Sequence, residues 1–420
     1  MTRVAYAGMT HLGLNSAVAA ADRGFEVIGY DPDVQRIAAL GRGELPVVEP
    51  DLTDLLAKNA ARIRFTADAG ALAGCDLVYV APDVATDDTG RSDLSQLDAL
   101  LDSVEAVRRP DAVLVILSQV PPGYTRARAK PGRLLHYQVE TLIFGRAMER
   151  ARFPERFIVG CAEPSQPLPP AYARFLESFG CPVLPMRYES AELAKISINL
   201  CLVAQVSVAN TLAELCENIG ADWSEIAPAL KLDKRIGPHA YLAPGLGIAG
   251  GNLERDLATV LSLSQRHATD AGVVSAWLAN SRHRKDWAWR TLDKLVLSRQ
   301  PEARIAVLGL AYKEDTHSTK NSPALALLSR LKDLPVVVYD PVVVPKFPFK
   351  AAPSALDAVR DADAVCIMTP WAEFRKLAPG VLARRMRGRW LIDPYRVVDA
   401  AAARAAGLRQ VTLGVAADAS

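Results

Sequence analysis

Short apolar runs alternate with stretches of helical periodicity along the first third of the chain. Val4–Ala7, Glu26–Tyr30, Asp76–Ala81 and Ala112–Leu117 are rich in β-branched residues, and helix-length segments separate them. That alternation predicts βαβ units and a mostly parallel sheet. Pro154–Cys161 and Pro182–Pro185 are expected to complete it. From about Ser190 the pattern changes. Ala191–Asn218 is rich in Ala, Leu and Val and has neither Gly nor Pro, which predicts one long helix. Ile219-Gly220-Ala221-Asp222 supplies its stop and the cap of the next helix. Helix is expected from there to about Arg299, apart from a Gly-rich loop at Pro244–Asn252. Strands then return at Arg304–Leu308, Pro335–Tyr339, Ala364–Met368 and Arg389–Ile392.

Composition narrows the class. The chain has 420 residues, half of them hydrophobic and 23% charged, enough for two or three globular domains. A formal charge of +2 provides no basic field for nucleic acid or membrane surfaces, so neither is expected as a partner. The six cysteines are spread singly without a C-x-x-C pair, which predicts reduced, buried thiols and no metal site. The start, MTRVAYAG, runs straight into a strand, and no apolar run is read as approaching the roughly 20 residues of a membrane span. A soluble, cytoplasmic protein is the expectation.

The first strand leads into Gly8-Met9-Thr10-His11-Leu12-Gly13 and a helix. A dinucleotide fingerprint reads G-x-G-x-x-G at this place. Its first glycine makes the turn, its second admits the pyrophosphate, and its third lets helix pack on strand. Gly8 and Gly13 fit, whereas Thr10 fills the middle position and is expected to crowd or shift the pyrophosphate. Asp31 ends the second strand at the spacing where an acid grips an adenosine ribose, which favours NAD over NADP.

Further on come Ala191-Glu192-Leu193-Ala194-Lys195, Asn199, Cys216–Asp222, Arg235-Ile236-Gly237, Tyr241-Leu242 and the loop Pro244–Leu257. Gly309–Lys313, Asn321–Leu325, Tyr339-Asp340-Pro341 and Thr369–Phe374 follow in the last third, and Val48–Leu52 and Val120–Gly123 lie early. Together these closely resemble the UDP-glucose/GDP-mannose dehydrogenase family, over nearly the whole chain. The resemblance implies an α/β protein of three parts: an NAD-binding Rossmann-type domain (1–187), a central helical domain for dimerisation and substrate (188–299), and a Rossmann-like domain for the nucleotide sugar (300–420). It also implies a homodimer with the long helix at the interface.

In that family a sugar alcohol is oxidised twice by NAD, with a cysteine thiolate capturing the intermediate aldehyde. Lys195 matches the family's active-site lysine, facing a forming alkoxide. Asn199 follows one helical turn later, and Asp256 matches the loop aspartate that positions water or a base. Asn252 stands where the family's G-F-G-G-S-C-F-P-K-D loop has its cysteine. Gln119 replaces the usual Thr before Val-Pro-Pro-Gly. In Val139–Gly145, Glu140 is kept while Phe144 takes the place of a second glutamate. The resemblance assigns Gly8, Thr10, Leu12, Gly13, Asp31, Arg36 and Lys320 to the cofactor. It assigns Arg235 (from across a dimer), Tyr241, Gly245, Gly247 and Lys313 to the nucleotide sugar.

The departures gather around the reacting atoms. The first reading is an NAD-dependent oxidoreductase of a nucleotide sugar, a UDP-hexose foremost, that transfers one hydride and stops at an aldehyde or ketone. Acid formation through a hydrated aldehyde, a non-catalytic nucleotide-sugar-binding relative, and an epimerase that retains its cofactor are the alternatives.

Overall fold

The computed structural model describes residues 2–87, 90–345 and 348–416. They divide into two compact units, Met1–Ile198 and Asn199–Ser420.

The first unit carries β1 (Arg3–Ala7), β2 (Glu26–Tyr30), β3 (Ile63–Thr66), β4 (Leu77–Val80), a two-stranded pair β5 (Ala85–Thr86) and β6 (Ser92–Asp93), β7 (Val113–Ile116), β8 (Leu135–Gln138), β9 (Phe157–Cys161) and β10 (Val183–Arg187). Its main sheet has the order β10-β9-β8-β7-β4-β1-β2-β3. All neighbours are parallel except β8 and β9. The direction of strand order reverses between β1 and β4, which opens a crevice beyond their carboxyl ends. Pro185 is tolerated because β10 is an edge strand. β3 and β8 were not foreseen. β3 is a half-exposed edge, and β8 (Leu-His-Tyr-Gln) buries polar side chains, so neither shows as an apolar run.

The second unit holds a wholly parallel sheet, β13-β12-β11-β14-β15-β16. Its strands are β11 (Ile305–Leu308), β12 (Val336–Tyr339), β13 (Lys350–Ala351), β14 (Ala364–Ile367), β15 (Trp390–Ile392) and β16 (Arg409–Val411). The short polar edges β13 and β16 escaped the sequence pattern.

The two sheets repeat one device. Gly8 (φ +96°) ends β1 and donates its N–H to the carbonyl of Tyr30; Gly309 (φ +90°) ends β11 and donates to Tyr339, each at 2.8 Å. The aspartate after each tyrosine then collects the next amide: Met9 on Asp31 at 2.7 Å, Leu310 on Asp340 at 2.6 Å. Tyr-Asp-Pro is the shared sequence trace of this repeat.

The long helix runs from Tyr188 to Ile219 and stops at Gly220 in the left-handed region, where glycine has no Cβ penalty. Asp222 then caps the following helix through the Ser224 N–H at 2.7 Å. An uncharged stretch of this helix reaches a mean hydropathy of 1.6, so it is long and apolar enough to cross a membrane, contrary to the expectation that no such run exists. Its polar residues are nevertheless put to use within the second unit. Asn199, Gln205 and Asn210 bond Asp256, the Tyr241 N–H and the Gly245 N–H. The irregular segment after it is longer than expected: the helix from Trp223 ends at Leu232, and none resumes before Asn252.

Candidate functional site

In the first unit the glycine turn is built as the fingerprint demands. A Cβ on Gly8 would lie 2.8 Å from the Pro82 nitrogen, and one on Gly13 would lie 1.9 Å from the Gly8 carbonyl oxygen. Both positions therefore need glycine for the turn and for helix-on-strand packing. Asp31 is almost wholly buried. Its Oδ2 accepts from Met9 N–H and from Arg36 Nη1, both at 2.7 Å, and its Oδ1 accepts from Asp33 N–H at 3.0 Å. Arg36 thus holds Asp31 at the tip of β2, which brings these two assigned residues together. Leu12, buried on the helix His11–Asp22, lines a cavity of about 50 Å³ with Tyr6, Gln138, Glu140 and Arg150.

Thr10 is the N-cap of that helix, but its hydroxyl faces across the crevice. Oγ1 accepts the Asp83 N–H at 2.8 Å, and Asp83 Oδ2 accepts the His11 N–H at 2.8 Å. The His11 imidazole pairs through Nε2 with Glu49 Oε1 at 2.8 Å and stacks on Phe144, with ring centroids 4.1 Å apart. Glu49 also accepts the Gly145 and Ala147 N–H groups. Phe144, at the position of a family glutamate, therefore packs on the start of the cofactor helix. Asp83, His11 and Glu49 had no assigned role in the sequence reading. An acid three positions past β4 is the sequence trace Asp83 leaves.

Lys195 Nζ lies 2.5 Å from Glu140 Oε1 and 3.1 Å from the Glu140 carbonyl oxygen. Both side chains are largely covered, and Glu140 Oε2 also accepts the Leu142 N–H. A third group fixes this end of the helix. Glu192, fully buried, accepts the Gly123 and Thr125 N–H groups and so ties the Val-Pro-Pro-Gly turn to the helix that carries Lys195. Burial pushes its carboxyl above the usual range. Gln119 lies buried at the start of that same turn.

In the second unit Asn199 Nδ2 donates to Asp256 Oδ2 at 2.5 Å, and Arg255 Nε approaches Asp256 Oδ1 at 3.3 Å. Asp256 is fully buried. Asn252 begins the same helix, Asn252–His267, one turn before Asp256 and on its face. Cys201, the one exposed cysteine, is two residues beyond Asn199 on the long helix. Two residues turn a helix by about 200°, which directs Cys201 away from the Asn199–Asp256 bond. Burial raises the thiols of Cys75 and Cys161 to about 11 and that of Cys366 to about 12.

The glycine loop of this unit is held from several sides. Gly245 N–H bonds Asn210, and Gly250 N–H bonds the Lys320 carbonyl at 3.0 Å. Gly247 (φ +83°) has no room for a Cβ, which would meet the Ser281 carbonyl oxygen at 2.4 Å. Lys313 Nζ lies 5.9 Å from the centre of the Tyr312 ring. Arg235 is well exposed and forks onto its neighbour Asp233, while the Tyr241 side chain is half-exposed.

The chemistry of this turn suits a dinucleotide: two glycines that shape the turn and a buried acid after β2. The comparisons agree. Models of the UDP-glucose/GDP-mannose dehydrogenase family match residues 2–167 (NAD binding domain), 189–282 (central domain) and 306–400 (UDP binding domain). A UDP-glucose 6-dehydrogenase of Pseudomonas aeruginosa is 30% identical over 421 residues, covering 93% of this chain and 92% of that protein. The UDP-glucose 6-dehydrogenase AglM of Haloferax volcanii is 30% identical, with 93% and 96% covered. Among solved structures, a UDP-glucose dehydrogenase of Pyrobaculum islandicum superposes with a TM-score of 0.84 at 25% identity, covering 99% of this chain and 98% of that one. A UDP-D-ManNAc dehydrogenase of Pyrococcus horikoshii shares the fold at a TM-score of 0.85. The chain belongs to the UDP-glucose/GDP-mannose dehydrogenase family, with that family's NAD-binding domain and a domain for a nucleotide-sugar substrate.

Proposed function

We propose that this protein oxidises a nucleotide-diphosphate sugar, a UDP-hexose foremost, by a single hydride transfer to NAD, leaving an aldehyde or a ketone. The observation that carries the reading is the amide of Asn252 one turn before Asp256, with Cys201 on the long helix turned away from the Asn199–Asp256 bond. An amide is not a nucleophile, so an aldehyde formed there has no covalent trap for a second oxidation. Bound NAD would supply the hydride acceptor for the carbinol carbon. Gly8, Leu12, Gly13, Asp31, Arg36 and Lys320 are assigned to hold it, and Thr10 borders its pyrophosphate. Lys195, paired with Glu140, stabilises the alkoxide that develops. Asn199 orients the hydroxyl or a water, Asp256 takes up the proton, and Gln119 borders the reacting sugar. Arg235, Tyr241, Gly245, Gly247 and Lys313 are assigned to the nucleotide sugar.

The division 1–187, 188–299 and 300–420 and a homodimer belong to the same reading. Val208, Leu212, Leu215 and Ile219 are exposed at spacings of four, three and four along the long helix, an apolar stripe suited to a second copy. We keep one second reading, a nucleotide-sugar-binding relative without turnover, because Phe144 and Asp83 both alter the cofactor end.

The test is to mix the protein with NAD and a panel of UDP- and GDP-sugars and count NADH per sugar consumed. One per sugar with a trappable carbonyl is expected. Two per sugar with a uronic acid product would sink the single-step reading, and binding of sugar without NADH would favour the second one.

A further inference from the structure

The Thr10–Asp83 contact gives the irregular fingerprint a physical meaning. The crevice between β1 and β4 is where a doubly wound sheet receives the pyrophosphate, on the first amides of the helix after β1. Here the turn after β1 and the turn after β4 are bonded to each other across that crevice. Asp83 donates its N–H to Thr10 Oγ1 and accepts the His11 N–H on Oδ2, both at 2.8 Å. Glycine at position 10 could not make the first of these bonds, since it has no hydroxyl. The second places a carboxylate on an amide that the diphosphate would use. A carboxylate and a diphosphate compete for that donor and repel each other at this distance.

We propose that Thr10 and Asp83 form a latch over the pyrophosphate cradle, so that the dinucleotide binds only by displacing Asp83 from the His11 amide. The latch rests on the NAD reading given above and adds what limits the binding. Asp83 is the internal occupant, and Thr10 is the anchor that holds it there. Glu49 and Phe144 hold the His11 side chain, and the start of the helix presents its amide to Asp83. The latch lowers affinity for any ligand with a phosphate at this position.

The experiment is calorimetric titration of the full-length protein with NAD and with ADP-ribose, for wild type, Asp83→Ala, Thr10→Gly and Thr10→Ser. Asp83→Ala and Thr10→Gly are expected to bind both ligands at least tenfold more tightly than wild type. Thr10→Ser, which keeps the hydroxyl and loses only the methyl group, is expected to match wild type; tighter binding by it would assign the effect to crowding and overturn the latch. The melting temperature of ligand-free Asp83→Ala is expected to fall, because the helix loses an N-terminal acceptor, while the rise on adding NAD grows. Equal or weaker binding by Asp83→Ala overturns the latch and leaves the NAD reading in place. No binding of NAD by wild type and by both opened variants overturns the two together.

Discussion

Asn199 donates its amide to Asp256 Oδ2 at 2.5 Å, and by this bond the long helix and the helix after the glycine loop share one buried carboxylate. Asp256 has no exposed surface. Asp256→Asn preserves shape and removes the base. It is expected to lower kcat by about 100- to 1,000-fold, within the range for general acid–base catalysis, with little change in KM. Steady-state NADH formation beside a circular dichroism melt checks it; an unchanged kcat would make Asp256 a purely structural acid.

Asn252→Cys tests the chemistry from the other side. A thiolate at this position can add to the aldehyde carbon to give a hemithioacetal. Loss of a second hydride gives a thioester, and water releases the acid. The variant is expected to raise the yield from one to two NADH per sugar. A ratio that stays at one means that position 252 does not face the aldehyde.

Stability hangs on a buried cation in the second unit. Arg284 has no exposed surface and faces Glu214 and Glu217 at 3.2 and 3.3 Å. Glu217 in turn accepts the Trp287 indole N–H and the Gly414 N–H, joining the long helix to the chain's last segment. Arg284→Ala removes the buried cation that Glu217 and Glu214 share, although Glu214 keeps His283 and Arg290, and is expected to cost about 3–5 kcal/mol, seen as a large fall in melting temperature. Arg42→Ala, which breaks only the exposed Arg42–Glu44 pair, is expected to leave the melt unchanged.

His136 links the first unit to pH. Burial against Tyr172 lowers its pKa to about 4, below the ordinary value near 6.5, so the unfolded chain takes up a proton that the folded chain refuses. Its share of stability is complete at neutral pH and is lost as pH falls from about 6.5 to about 4, amounting to about 3 kcal/mol. His136→Gln does not titrate. The melting temperature of wild type is expected to fall more steeply than that of the variant between pH 7 and pH 4.5, and parallel curves would remove His136 from the account.

The stripe on the long helix predicts its own disruption. Leu212 and Leu215 are 38% and 51% exposed in the single chain. Glutamate at both would place charge in an apolar seam between copies. Analytical ultracentrifugation is expected to show a dimer for wild type and a monomer for the double variant; a wild-type monomer would end the homodimer proposal.

The sequence was legible where a residue's role depends on its near neighbours. Apolar runs exposed most of the strands, the absence of Gly and Pro marked the long helix, and Gly220 and Asp222 marked its end and the next beginning. The ordered family motifs fixed ancestry, and with it the cofactor and the class of substrate. What failed was also local in cause. β8 buries His136 and Gln138, and β16 is a polar edge, so neither carries the pattern that marks a strand.

Tertiary structure alone decided who meets whom. The spacing of Asp31 predicted a ribose ligand, but only the fold shows its carboxylate holding Met9 and Arg36. Thr10 read as an obstruction until β4 brought Asp83, 73 residues away, to its hydroxyl. Phe144 read as a lost acid until its ring was found on His11. Periodicity and motif order encode backbone conformation and ancestry, because these depend on neighbours along the chain. Hydrogen bonds and stacking depend on distances of a few ångströms between segments far apart in sequence, and folding sets those distances.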